Sequence, residues 1–261
     1  LELENKINQT VQTDGMTQQS VDAYQNAKRE AQNESNTALA LINNGDATEQ
    51  QITTEKDRVN QQTTNLTQAI NGLTVNKEPL ETAKTALQNN IDQVPSTDGM
   101  TQQSVANYNQ KLQIAKNEIN TINNVLANNP DVNAIRTNKA EAERISNDLT
   151  QAKNNLQVDT QPLEKIKRQL QDEIDQGTNT DGMTQDSVDN YNDSLSAAII
   201  EKGKVNKLLK RNPTVAQVKE SVANAQQVIQ DLQNARNSLV PDKTQLQEAK
   251  NRLENSINQQ T

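Results

Sequence analysis

The chain has 261 residues, 31% hydrophobic and 1% aromatic, with three Tyr and neither Phe nor Trp, so an interior filled by rings is excluded. Twenty-six Lys and Arg against 34 Asp and Glu leave a net charge of −8 and a pI near 4.8, which removes the field that would gather a phosphate backbone, so no nucleic acid is expected as partner. With no His and no Cys, thiolate nucleophiles, imidazole bases, catalytic triads, haem ligation and His/Cys metal sites are all excluded, leaving only carboxylate, Lys or hydroxyl chemistry.

The lack of Cys also excludes a disulfide-stapled domain, but fits a bacterial surface as well as a cytosol. No apolar run approaches the roughly 18 residues of a membrane span, so membrane insertion is not expected. Leu1-Glu2-Leu3-Glu4 lacks the charged-then-apolar order of a leader and reads as the start of an excised piece. The 37 Asn and 33 Gln, with a mean hydropathy of −0.95, would on composition alone suggest disorder. The pattern overrides the composition.

Leu3-Glu4-Asn5-Lys6-Ile7-Asn8-Gln9 matches Leu253-Glu254-Asn255-Ser256-Ile257-Asn258-Gln259 in all but one position, so residues 1–12 read as the tail of a preceding repeat. Thr-Asp-Gly-Met-Thr-Gln then begins at Thr13, Thr97 and Thr180, 84 and 83 residues apart, and Tyr24, Tyr108 and Tyr191 each follow eleven residues later. Repeats are therefore expected at 13–96, 97–179 and 180–261.

Within the repeat at 97–179, Val105, Tyr108, Leu112, Ala115, Ile119, Ile122 and Leu126 step by three and four, which keeps them on one helical stripe. The repeat at 180–261 has Val188, Tyr191, Leu195, Ala198, Lys202, Val205 and Leu209 at these places; that at 13–96 is weaker, with Lys28 and Ser35 on the stripe. A second stripe runs through Ile135, Ala142, Ile145, Leu149, Ala152 and Leu156, and a shorter third through Leu163, Ile166, Leu170 and Ile174. Thr17, Thr101 and Thr184 are expected to cap the first helix, with Met16 against Val21 as a staple. Asn129-Pro130, Asn212-Pro213 and Asp46 are expected to open the second, and Asn76, Asp159 and Asp242 stand near the start of the third. The fold class predicted is all-α: tandem three-helix bundles stacked end to end into an elongated rod.

Asp14, Asp98 and Asp181 place one carboxylate in each Thr-Asp-Gly loop, far short of the six or more oxygens that calcium takes; these loops read as turns, with glycine supplying positive φ. The tyrosines lie on the apolar stripe and read as core. Glu141/Glu143 and Asp172/Glu173 are read as solvated helix faces, because a narrow bundle offers little cleft for acid/base work. Lys202, Lys204, Lys207, Lys210 and Arg211 form the one basic cluster, a surface for an anionic partner or a complement to the helix dipole. Eleven acids against six bases give the repeat at 13–96 a charge of −5, while 180–261 is neutral. No catalytic, cofactor or metal residue is assigned, no cofactor is expected, and the ligand-binding residues stay unknown.

Thr-Asp-Gly-Met-Thr-Gln-Gln-Ser-Val followed by Tyr, in Asn/Gln-rich three-helix units of this period, closely resembles the FIVAR repeats of the giant staphylococcal extracellular matrix-binding proteins of the Embp and Ebh type. The resemblance spans the whole chain, and the 83- to 84-residue period leaves no room for the added albumin-binding-like bundle of the longer composite repeats. It implies a non-enzymatic, monomeric adhesin fragment on the bacterial cell surface, whose tandem repeats bind host fibronectin and support biofilm growth. A passive stalk is the alternative; recognition of cell-wall glycan is a third reading, which the lack of exposed aromatics opposes.

Overall fold

The computed structural model describes residues 2–258, so Leu1 of the expected tail and residues 259–261 of the last repeat lie outside the described residues. Among the described residues ten helices follow one another: α1 (Glu2–Ile7), α2 (Gln18–Ile42), α3 (Glu49–Asn71), α4 (Glu78–Asp92), α5 (Gln102–Ala127), α6 (Val132–Asn154), α7 (Gln161–Gln176), α8 (Gln185–Leu209), α9 (Val215–Asn237) and α10 (Thr244–Asn258). The fold is an all-α repeat, as the periodicity requires. It divides into two compact units, residues 1–94 with 108–154, and residues 95–107 with 155–261.

In the first unit α1, α2 and α3 pack on one another around Leu3, Ile7, Tyr24, Ala31 and Leu66. α4 packs along α6, and polar contacts tie α5 to both in a second bundle, where Leu80, Leu87, Tyr108, Ile122, Ile145 and Leu149 are buried. Its direction is fixed by polar contacts at the seams. Lys77 at the start of α4 donates to the Leu126 carbonyl near the end of α5 (2.8 Å), and Lys111 early in α5 reaches Asp148 late in α6 (3.0 Å). Asn90 near the end of α4 donates to the Ser146 carbonyl of α6 at 2.8 Å, so α4 and α6 run parallel, with α5 antiparallel to both. In the second unit α7, α8 and α9 pack around Leu163, Ile166, Leu170, Tyr191, Ala198, Val205, Val218, Ala225, Leu232 and Ala235.

The helices that share a core are grouped one helix earlier than repeats counted from Thr-Asp-Gly. The boundaries 13–96, 97–179 and 180–261 would set α2 with α4; packing sets it with α1. A repeat has a period but no inherent starting point, and only the partner of the third stripe fixes its phase. α10, which carries the last copy of that stripe, buries none of its residues.

Helix starts also differ in detail. Thr17 caps α2 by accepting from the Ser20 amide (3.4 Å), as its position implies. The second helices are capped at Thr48, Asp131 and Thr214 rather than at Asp46, Asn129 and Asn212. Thr48 and Thr214 form capping boxes with Gln51 and Gln217, and Asp131 accepts from the Ala134 amide at 2.7 Å. Pro213 thus precedes the cap, where its fixed φ leads the chain in, instead of occupying the first helical turn. Asn76, Asp159 and Asp242 each accept from the amide two residues on, at 2.9–3.0 Å, and so bend the chain into its third helix.

The first-helix stripe departs from its expected course at one place. Glu118 and Glu201 are buried, where Ile119 and Lys202 were expected to point inward. Ala115 to Ile122 can be spanned by steps of three then four or four then three; hydrophobicity favours the second path and the helix takes the first. Burial pushes the Glu118 carboxyl up, Glu141 adds repulsion, and Arg144 works in the opposite sense.

Candidate functional site

Each Thr-Asp-Gly segment is a turn with a fixed set of partners. Met16, Met100 and Met183 form isolated antiparallel bridges with Val75, Val158 and Pro241. Thr17, Thr101 and Thr184 donate their amides to the carbonyls of Thr74, Gln157 and Val240 at 2.7 Å, while the carbonyls of Gly15, Gly99 and Gly182 accept from Asn76, Asp159 and Asp242 at 2.8–2.9 Å. The entry to the first helix is thereby tied to the loop that leaves the second, a pairing the helical periodicity did not reveal.

These turns do more than reverse the chain. In the first unit Asp14 is paired with Arg136, on the second turn of α6, and in the second unit Asp98 is paired with Lys219, on the second turn of α9, at 2.7 Å. Glycine is required beside them on two counts. Gly15 and Gly99 have φ of 83° and 72°, and a Cβ on Gly99 would stand 2.5 Å from Val215 Cγ1, with Gly15 equally tight against Val132. The same contact thus recurs in each unit between residues 122 and 121 apart. At Gly182, φ 71°, nothing lies within 4 Å of the Cβ position. Lys219 holds the Asp98 carboxyl below its ordinary range, chiefly by its hydrogen bond.

The other singled-out residues fall into place around this frame. Tyr24, Tyr108 and Tyr191 are buried at 7%, 2% and 4% exposure, which makes them core residues and leaves them unavailable to a ligand. Burial raises the Tyr108 hydroxyl, and its oxygen has no partner. Glu141 pairs with Arg144 and Glu143 with Lys139 on an exposed face of α6. Glu173 is not solvated as expected: it is buried against Arg236 at 2.6 Å and accepts from Gln233 at 2.8 Å. The stripe residue Ala235 draws Arg236 along the same seam, which is how an exposed-looking acid acquires an inward partner.

The basic cluster splits in two. Lys202 bonds to Gln171, and Lys204 pairs with the buried Glu201 at 2.8 Å. Lys207, Lys210 and Arg211, at the end of α8, lie within 4 Å of no carboxylate among the described residues and form a small exposed cationic tip. An apolar groove of about 500 Å³ lies elsewhere, in the first bundle, lined by Leu3, Ala38, Leu39, Ile42, Ile52 and Val59 among others. Leu39, Ile42 and Ile52 are 55%, 78% and 54% exposed there. No helix among the described residues is long and apolar enough to cross a membrane.

Residues 2–74, 83–157 and 166–233 match the family model described as the FIVAR domain, in the phase of the observed bundles. Over 259 residues the chain is 51% identical to the extracellular matrix-binding protein EbhB of Staphylococcus aureus strain Newman, covering 99% of this chain and 4% of that protein. Identity and coverage of this chain are the same for the extracellular matrix-binding protein ebh of strain NCTC 8325 and EbhB of strain N315, of which the match spans 3% and 7%. The chain therefore corresponds to a small fraction of these relatives' length. No solved structure matches it.

Proposed function

This chain belongs to the FIVAR domain family, and from that premise we propose that it is a non-enzymatic segment of a cell-surface adhesin that binds host extracellular matrix, with fibronectin as the ligand. The observation that carries this reading is 51% identity over 259 residues to proteins named for matrix binding. The surface is consistent with it. Seventy amides and a charge of −8 coat bundles whose aromatics are all buried, so contact would be made by polar helix faces. Each such contact is weak, and repetition along the chain supplies the strength, because a second site on a tethered chain binds at a raised effective concentration. The absence of His and Cys supports a binding rather than a chemical role, and an extracellular location accompanies the matrix ligand.

The test is retention of the whole chain on surfaces coated with fibronectin at rising density, beside collagen and laminin. Retention that climbs more steeply than coating density supports the proposal. Retention on another matrix protein but not on fibronectin removes fibronectin and keeps matrix binding. No retention on any of them leaves the second reading, a passive spacer, for which the Asp14–Arg136 and Asp98–Lys219 contacts speak.

A further inference from the structure

We propose that the end of the third bundle at which α8 finishes binds a sulfated glycosaminoglycan chain. Residues 159–168 and 201–220 together carry nine Lys and Arg and four Asp and Glu, whereas the stretch between them, 169–200, has seven acids and no base. Helix direction turns this alternation into a polarity. Arg236 on α9 reaches Glu173 on α7 at 2.6 Å, which brings the ends of those helices together, and the Thr184 amide before α8 donates to the Val240 carbonyl after α9. α8 therefore runs against its two neighbours. The basic start of α7, the basic end of α8 and the start of α9 share one end of the bundle, while the acidic stretch turns at the other.

Four of the nine bases are engaged: Lys167 by Glu164, Lys202 by Gln171, Lys204 by Glu201 and Lys219 by Asp98. Lys165, Arg168, Lys207, Lys210 and Arg211 are exposed, with no carboxylate within 4 Å among the described residues. Beside them a groove of about 830 Å³ runs between α7 and α9, lined by Lys165, Arg168, Gln161, Gln169 and Gln226 over Ile166 and Val222. Its two carboxylates are occupied within the protein, Asp159 by the Gln161 amide and Glu164 by Lys167. The lining selects the occupant. Amides donate to and accept from sugar hydroxyls, and unpaired bases take sulfate. A neutral glycan lacks the charge and needs rings to stack on, and all three tyrosines are buried. Nucleic acid is disfavoured because a strand finds nothing to stack on and a long, stiff polyanion meets the acidic remainder of a chain of charge −8. A glycosaminoglycan is flexible and presents one cluster of sulfates to the basic end. The site stands apart from the fibronectin reading.

Calorimetric titration of the whole chain with a short heparin oligosaccharide, at about 50 and about 500 mM salt, tests the proposal; affinity is expected to fall steeply between the two as the sulfate contacts are screened. Lys165→Gln with Arg168→Gln, and Lys207→Gln with Lys210→Gln, are each expected to weaken binding about tenfold at the lower salt. Lys56→Gln with Lys116→Gln removes the same charge from exposed sites in the other bundles and is expected to leave binding unchanged. Hyaluronan of the same length, which has carboxylates but no sulfate, is expected not to bind. Amide chemical shifts of the unmodified chain give a readout that no substitution disturbs: with heparin they should move at 161–169 and 204–211 and stay in place at 172–200. No heparin binding at the lower salt, equal weakening by all three variant pairs, or shifts centred elsewhere overturns the proposal. Hyaluronan, polyglutamate or a DNA duplex bound as tightly as heparin also overturns it, and leaves a general anion surface in its place. Retention on fibronectin is read separately, so either reading can fail alone.

Discussion

The first bundle and the third descend from one pattern yet hold together differently. The third buries ten apolar residues in one cluster; the first, to which the sequence contributes only six residues of α1, buries five. Equivalent seam positions diverge in the same direction. Glu173 and Arg236 form a buried ion pair in the third bundle, Asn90 and Lys153 meet at 2.8 Å in the second, and the first has Lys6 and Ile70 at those places. Where the third bundle has Ser221 the first buries Glu55. At these seam positions a shared backbone plan sets which residues face inward, while their chemistry sets how they pair.

The widest separation is expected from Leu66→Ala against Leu232→Ala, wholly buried counterparts 166 residues apart. Each removes about 2–5 kcal/mol, which the third bundle survives and the first does not; hydrogen exchange resolved by helix should show α2 and α3 losing protection while α8 and α9 keep theirs. Equal loss in both would break the comparison. Next is Arg236→Ala, which leaves Glu173 buried without its cation and costs about 3 kcal/mol, read as a fall in the denaturant midpoint of the third bundle. Gly99→Ala and Gly182→Ala both force an L residue to positive φ, at about 1–2 kcal/mol, but only the first meets Val215; its excess loss should be relieved by Val215→Ala, and thermal melts of the three variants decide it.

The smallest effect is expected from Glu55→Gln. Burial, then the neighbouring Glu34, raises the Glu55 carboxyl, with Arg58 opposing. An acid whose folded-state pKa is raised destabilises the fold above its ordinary range, near 4.3 for Glu, and the penalty is lifted as pH falls and the carboxyl protonates. The glutamine variant should therefore melt higher than the parent at pH 7, with the gap closing on acidification.

Much of this organisation was legible in the sequence. Three apolar stripes with a common period gave the helices, because a helical face can be counted without knowing what covers it. The phase of the repeat could not be counted that way: whether the third stripe turns back on the preceding helices or forward onto the following ones is a tertiary choice. The caps slipped by two residues because Thr48, Asp131 and Thr214 stand beside other capping residues of similar strength. The buried Glu118 and Glu173 escaped notice since carboxylates are read as exposed until a partner such as Arg236 is in place. Nothing along the chain announced that Asp14 and Asp98 would meet Arg136 and Lys219, over 120 residues away.

Those long-range contacts constrain how a gene of this kind can change its length. Two helix starts meet a glycine turn, and each carries valine and a base four residues later, Val132 with Arg136 and Val215 with Lys219. Unequal crossing-over that duplicates a whole repeat of the α6 or α9 kind preserves the match at the new junction. A recombinant that instead brings against a Thr-Asp-Gly turn a helix start lacking that valine and base loses both contacts, so copy number is free to drift while the order of neighbours is not.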